Sequence, residues 1–257
     1  MTEQRTPRER GEGVRSVVRA VEILSLFDAA HRFRTLRELV AATGLPKTTV
    51  VRLLATLQDR GLVAGVGETT YILGPVLLRW VRLAQTVWEV NSETRDVMRR
   101  LVDETGETAN VYVRQDDHRV SIAQEAGTAT VRSVVEVGRP MPLNAGATAK
   151  VLLGAVPAEH LGEILSDLDG AALSALQRQV ASTLETGYAI THGERELGAS
   201  AIAAPIRDPQ GRIIAALSIS GPTSRFTADR VVRCVAAVTQ AAEEISTVRM
   251  GSVEALL

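Results

Sequence analysis

The stretch Lys47-Thr48-Thr49-Val50-Val51-Arg52 puts two cations, two hydroxyls and apolar side chains within two turns of chain. Val50, Leu53, Leu54 and Leu57 recur at helical spacing, which directs them to a core and leaves Lys47, Thr48, Thr49, Val51, Arg52 and Thr56 outside. Hydroxyls can meet phosphates and base edges, Arg or Lys can meet guanine, and an apolar group can meet a thymine methyl. A recognition helix entering a DNA major groove needs such a face at its N-terminal end. The same spacing also describes an ordinary amphipathic helix with a solvated face.

Other residues with chemical potential are sparser. Ser218 and Ser220 are two apart, so on a strand they share a side. Their surroundings, ALSISGP, lack the Gly-x-Ser-x-Gly elbow of a nucleophile, and no histidine is tied to them in sequence. His192-Gly193-Glu194 is similar to a fragment of a metal site, yet no further His or Cys completes a usual ligand spacing. His31, His118 and His160 are scattered, and the single cysteine, Cys234, sits among Val231, Val235 and Val238 as a small core residue would. No Gly-rich phosphate loop occurs. No catalytic residue, metal or cofactor is expected.

The elements that must position the basic face can be read from local signals. Thr35 with Glu38 three residues on, ahead of Leu36, Leu39 and Val40, is a capping box, so a helix begins at Leu36. Gly44 supplies a left-handed C-cap, and Pro46 opens the next helix, where its missing N–H costs nothing. After Gly61, Leu62 to Ala64 and Thr69 to Leu73 can form two strands around the turn Gly65 to Gly67. A helix-turn-helix followed by such a hairpin is a winged helix, and the expected DNA contacts are Thr35, Lys47, Thr48, Thr49, Val51 and Arg52.

The 257 residues exceed one winged helix and suit two domains. The net charge of −1 conceals an asymmetry: residues 1–90 hold 13 Lys and Arg against 9 Asp and Glu, and residues 91–257 hold 16 against 21. Positive potential therefore gathers where phosphates would lie. No uncharged apolar run approaches the roughly 20 residues of a membrane span, and the polar N-terminus does not read as a signal peptide. A cytoplasmic protein is expected.

In chain order, residues 1–13 read as an arm carrying Arg5, Arg8 and Arg10. A first helix over Val14 to Ala29 has the apolar stripe Val17, Ala20, Val21, Leu24 and Phe27, and residues 30–34 connect it onward. After Gly74-Pro75 a helix from Val76 to Val90 is apolar on more than one face and holds both tryptophans, Trp80 and Trp88. It reads as a linker and dimer contact, or as a helix buried in the second domain. Helices follow at 92–104, 147–154, 157–166, 172–186 and 228–248, and strands at 108–114, 119–125, 130–137, 188–191, 199–206 and 213–220. Hairpins flanked by helices imply an α+β domain around a mostly antiparallel sheet. The expected boundaries are a winged helix over 14–74, a linker helix over 75–90 and a second domain over 91–250.

The order of elements and several short motifs resemble the IclR family of bacterial transcriptional regulators. The likeness runs from Val14-Arg15-Ser16-Val17 through Gly44-Leu45-Pro46-Lys47 and Tyr71-Ile72-Leu73-Gly74 to Gly187-Tyr188, Ile202-Ala203-Ala204-Pro205 and Ser218-Ile219-Ser220-Gly221-Pro222. The resemblance implies a winged-helix domain, a linker helix and a GAF-like effector-binding domain, assembled as a homodimer or homotetramer on a double-stranded DNA operator. It also implies an effector pocket in three places. The first is the loop from Pro142 to Lys150, where the backbone donors of Ala147 and Thr148 would hold a carboxylate. The second is Thr191 with Ala199 and Ala201, and the third is Ser218 with Ser220. Thr130 and Ser133 would close the pocket from the strand at 130–137.

Thr191 stands where better-known small-acid binders of the family have an acidic residue, and Ala201 where a cysteine can occur. Both changes make the expected pocket less charged or more open, which points to small organic or aromatic acids as a class. An enzyme with an appended winged helix is the rival reading. A pocket of Thr, Ser and Ala has little with which to move protons, which argues against it. A ligand-free scaffold would fill its second core with larger residues than Gly146, Ala147, Ala149, Ala199 and Ala201.

Overall fold

The structure, a computed structural model, describes residues 14–166 and 168–257. The arm expected over residues 1–13 lies outside the described residues. The chain divides into two compact units, one ending at Thr86 and one beginning at Val87.

The first unit contains α1 (Arg15–Ser25), β1 (Arg34–Thr35), α2 (Leu36–Thr43), α3 (Lys47–Asp59), β2 (Val63–Val66), β3 (Thr70–Leu73) and most of α4 (Val76–Trp88). The capping box forms: Thr35 N–H donates to Glu38 Oε2 at 2.7 Å, and Glu38 N–H donates to Thr35 Oγ1 at 3.3 Å. Gly44 ends α2 at φ +65°, a conformation that costs other residues but not glycine. Ile23, Leu39, Val50, Leu54, Leu57 and Val63 form one core, joining the three helices to the hairpin. Each such burial contributes about 1.5–3 kcal/mol against chain entropy. At the base of the hairpin, Gly74 N–H donates to Leu62 O at 2.8 Å. A Cβ on Gly74 would lie 2.0 Å from the Gly61 carbonyl oxygen, so the closure requires glycine there.

Three features of this unit depart from expectation. The hairpin turn falls at 67–69 and not at Gly65 to Gly67: Gly65 and Val66 pair with Tyr71 and Thr70 inside β2, and Gly67 at φ +66° opens the turn. The first helix is shorter than Val14 to Ala29, because Asp28 Oδ1 accepts the N–H groups of Ala30 and His31 and offers the backbone a turn in place of helix. Its buried residue is Ile23, while Val17 and Val21 of the expected stripe are exposed. The connection at 30–34 also ends in a strand: Arg34 and Thr35 pair with Tyr71 and Thr70, so the sheet runs β1-β3-β2. Two residues are too few to show strand alternation in sequence.

The second unit begins with α5 (Ser92–Thr105), capped by Asn91 Oδ1 on Thr94 N–H at 2.9 Å and closed by Gly106 at φ +71°. It continues with β4 (Thr108–Gln115), β5 (His118–Glu125), β6 (Pro140–Pro142), α6 (Ala147–Leu153), α7 (Leu161–Ile164), α8 (Gly170–Thr186), β7 (Ala189–His192), β8 (Ala199–Arg207), β9 (Ile213–Pro222) and α9 (Ala228–Val248). The six strands form an antiparallel sheet in the order β6-β5-β4-β9-β8-β7. This is the α+β architecture expected.

No strand forms over 130–137. Val135 N–H donates to the Gln124 side chain at 2.8 Å and Gly138 N–H to Ser121 O at 2.9 Å. These are isolated bonds along the β5 edge, and the ladder itself is completed by β6, Pro142 facing His118. The helix expected over 157–166 is reduced to α7 after a single 3₁₀ turn.

Strand register separates the two sheet faces. Ile202 faces Ile219, which faces Ala109, and these pack with α5 and α9 residues in an apolar core that includes Cys234. On the opposite face Thr191, Ala201, Ser220 and Thr108 form one row across the sheet. Ala189, Ala203, Ser218 and Asn110 form the next. Small and polar side chains on that face leave space beneath α6.

Candidate functional site

In the first unit α3 presents the basic face at its N-terminal half. Lys47, Thr48, Val51 and Arg52 are exposed, Thr49 is half-buried, and Lys47 and Arg52 make no ion pair among the described residues. Pro46 caps α3 without a side-chain bond, leaving the first N–H groups of the helix available to an anion. Thr35 is engaged differently: its hydroxyl donates to Glu38 Oε2 at 2.9 Å and accepts from Glu38 N–H, so it serves the α2 cap.

In the second unit the small and polar sheet face, α6 and the β7–β8 connection line a partly open cavity of about 40 Å³. At the roughly 10–15 Å³ that each water position needs, about three fit. Ala147 and Thr148 line it from α6, and Thr191, Ala199, Ala201, Ser218 and Ser220 from the sheet and its rim. Thr130 and Ser133 do not line it: Thr130 is exposed, Ser133 is half-buried, and Val135 supplies that wall. Without a strand at 130–137, nothing imposes the alternation that would have turned Thr130 and Ser133 inward.

Five further lining residues carry polarity or charge: Tyr112, Arg119, Glu194, Arg195 and Ser200. The expectation of a pocket built of Thr, Ser and Ala alone is corrected by the first four. Arg119 is 3% exposed. Its Nη1 donates to the carbonyls of Pro142 and of Ala145, the latter at 2.8 Å, and its Nε has no acceptor. Burial pushes the guanidinium down to about 10; the neighbouring Tyr112 opposes the drop and the Arg195 charge adds to it. Burial likewise raises the Tyr112 hydroxyl, against the pull of Arg195 and Arg119.

A β-bulge aims Arg119. Before it, Asn110 faces Gln124; after it, Tyr112 faces Ser121 and Arg114 faces Arg119. The extra residue moves Arg119 to the face that carries Tyr112, where strict alternation from Gln124 would have put it on the apolar face. The segment beside it, Gln115-Asp116-Asp117-His118, is a polar turn between the two strands, so the only sequence signal is an Arg next to a turn.

Glu194 was visible in sequence as part of a metal-like fragment, and its contacts are of another kind. Its Oε2 accepts the Gly146 N–H at 3.0 Å and its Oε1 the Lys150 ammonium at 2.5 Å. His192 Nδ1 instead pairs with Ser200 Oγ at 2.7 Å, and Ser200 with Thr223 at 2.9 Å. Among the described residues no group of three or more His, Cys, Asp or Glu is placed to hold a metal ion.

A helix-turn-helix with a wing, joined in one chain to an α+β unit with a small polar cavity, defines a two-unit DNA-binding protein. Residues 16–67 match the IclR helix-turn-helix domain, and residues 84–247 match the bacterial transcriptional regulator IclR C-terminal domain. The chain belongs to the IclR family of DNA-binding transcriptional regulators, and not to an enzyme family. It is 31% identical over 251 residues to the transcriptional repressor IclR of Escherichia coli K12, covering 91% of this chain and 89% of that one. The solved structure of an IclR-family protein from Rhodococcus sp. is 45% identical, with a TM-score of 0.64 over 98% of this chain and all of that one. An IclR homologue from Microbacterium hydrocarbonoxydans, solved in complex with 4-hydroxybenzoate, shares the fold at 23% identity and a TM-score of 0.71, covering 93% of this chain and 99% of that one.

Proposed function

We propose that this regulator binds an operator through α3 and its wing, and that a small organic acid held in the cavity of the second unit controls its affinity for that operator. The division of labour follows residues 14–74 as the DNA-binding domain, 75–90 as the linker helix and 91–250 as the effector domain. The observation that carries the reading is the cavity: a partly open space of mixed polarity with two cations, Arg119 and Arg195, on its wall, on a sheet face where Ala199, Ala201, Ser218 and Ser220 could have been larger. Its volume favours an acid of few heavy atoms over a ringed one. The aromatic acid in the Microbacterium homologue keeps the wider class open to test.

Control works through geometry. Two winged helices read two half-sites whose separation is a rigid requirement, so a ligand that changes the spacing or tilt of the pair changes affinity. A homodimer is the smallest assembly that does this, and the exposed apolar residues of α4, Leu78, Trp80, Val81 and Leu83, suit a contact with a second copy. No helix among the described residues is long and apolar enough to cross a membrane, which agrees with a cytoplasmic site of action.

The test is a thermal-shift screen of small organic and aromatic acids, followed by mobility shift with DNA upstream of the protein's own gene. An acid that raises the melting temperature and changes the DNA affinity supports the reading. Salt-sensitive DNA binding that no acid alters overturns effector control and leaves DNA binding standing.

A further inference from the structure

We propose that Arg119 is the residue by which the cavity recognises its anion: the ligand's acid group lies against this guanidinium, with Arg195 beside it, and the ligand's remaining polar atoms meet the hydroxyls of Ser218 and Ser220. The inference rests on the effector reading above and deepens it, because it moves the acid group away from the start of α6, where the family resemblance put it.

Three observations carry this. Arg119 is buried, lines the cavity and has an Nε without an acceptor. A buried guanidinium is stable in a protein when a carboxylate offsets its charge. The groups that act on Arg119 electrostatically are Tyr112, a phenol neutral at pH 7, and Arg195, a second cation. Among the described residues the one carboxylate on the cavity wall, Glu194, is committed elsewhere, to Lys150 and to the Gly146 N–H. That commitment also decides the orientation. The entrance to α6 already holds an internal carboxylate, so a second anion there meets like charge, whereas the Arg119 side holds positive charge without an anion.

Arg119 also ties the carbonyls of Pro142 and Ala145, which shapes the loop leading into α6. A purely structural role would affect folding and all ligands alike. A recognition role affects charged ligands only, and the experiment separates the two. The full chain and its variants are titrated with formate, acetate, glyoxylate, pyruvate, lactate, benzoate and 4-hydroxybenzoate, each against its neutral amide, by calorimetry and thermal shift. The wild type is expected to prefer at least one acid over its amide by about tenfold or more, the scale of a charge-assisted bidentate contact. R119K keeps a preference for the acid. R119Q brings the acid-to-amide ratio close to one, and the ratio cancels any effect on acid and amide alike that loss of the Pro142 and Ala145 ties produces. R195Q, which alters a more exposed side chain and remains informative if R119Q fails to fold, lowers the ratio by a few fold. An unchanged ratio in R119Q overturns the proposal, as does an unchanged ratio in R195Q should R119Q not fold; effector binding itself would stand. Failure of every acid to bind the wild type overturns the effector reading and this inference with it.

Discussion

Glu194, on the cavity wall, and Lys150 of α6 are joined at 2.5 Å, the ammonium side chain 5% exposed and the carboxylate 31%. The pair ties the β7–β8 connection to α6, and the Glu194 bond to Gly146 N–H fixes where that helix begins. Glu194→Ala leaves Lys150 buried without an anion. The expected loss is roughly 3 kcal/mol, the lower end for breaking a buried pair because Glu194 is partly solvated. In urea unfolding, the double variant E194A/K150M should regain more than half of that loss. Recovery of none of it would mean that the pair is not the source of the stability.

DNA and ligand binding should separate by mutation. Arg52 is exposed on α3 and makes no ion pair among the described residues, so Arg52→Ala should weaken operator binding and reduce the salt slope by about one, as removal of one phosphate or base contact does. Ligand-induced thermal shifts should be unchanged. Thr148 lines the cavity at 6% exposure, so Thr148→Trp should fill the space and abolish the ligand shift, at an overpacking cost of about 1–3 kcal/mol, with DNA still bound. Equal loss of both activities in either variant would contradict the division.

What sequence could reveal here depended on how local each signal was. The α2 cap, the αL glycine at Gly44 and the stripe on α3 are set by residues close to one another in sequence, and α2 and α3 appeared where those residues put them, while the hairpin turn moved from Gly65–Gly67 to 67–69. The cavity floor was legible through spacing of two on β8 and β9, with the resemblance naming the strands. Arg119 was not legible, because its direction depends on a bulge that no residue type announces. Thr130 and Ser133 were misplaced because a valine-rich segment has strand propensity, while pairing with β5 is decided by the β6 segment that follows.

Glu107 has no exposure and is held by two cations: Arg225 Nε at 2.6 Å on Oε1, and Arg230 Nη2 at 3.1 Å on the same oxygen. The Glu107 pair also holds Arg225 above its ordinary range, chiefly through that hydrogen bond. Glu107→Gln keeps the shape but leaves the two guanidiniums facing a neutral amide. The expected loss is about 3–5 kcal/mol, as for other buried pairs deprived of one partner, read as a lower urea midpoint with the same slope. A loss under 1 kcal/mol would show that solvent already screens both arginines.

The α4 helix offers the most direct test of assembly. Leu78, Trp80, Val81 and Leu83 are each at least half exposed, and no residue of α4 is buried within the chain. Four large apolar side chains on one exposed helix form a patch that a soluble protein covers. If a second copy covers it, Trp80→Asp and Leu83→Asp each place a charge in an apolar contact and should convert the dimer to monomer in sedimentation velocity at micromolar concentration. Operator affinity should then fall by about two orders of magnitude or more, because each winged helix loses the high local concentration its tethered neighbour provides. The far-ultraviolet circular dichroism should be unchanged, since the side chains contribute to no core within the chain. Monomeric wild-type protein, or a dimer indifferent to both substitutions, would move the contact away from α4 and leave the half-site geometry without its support.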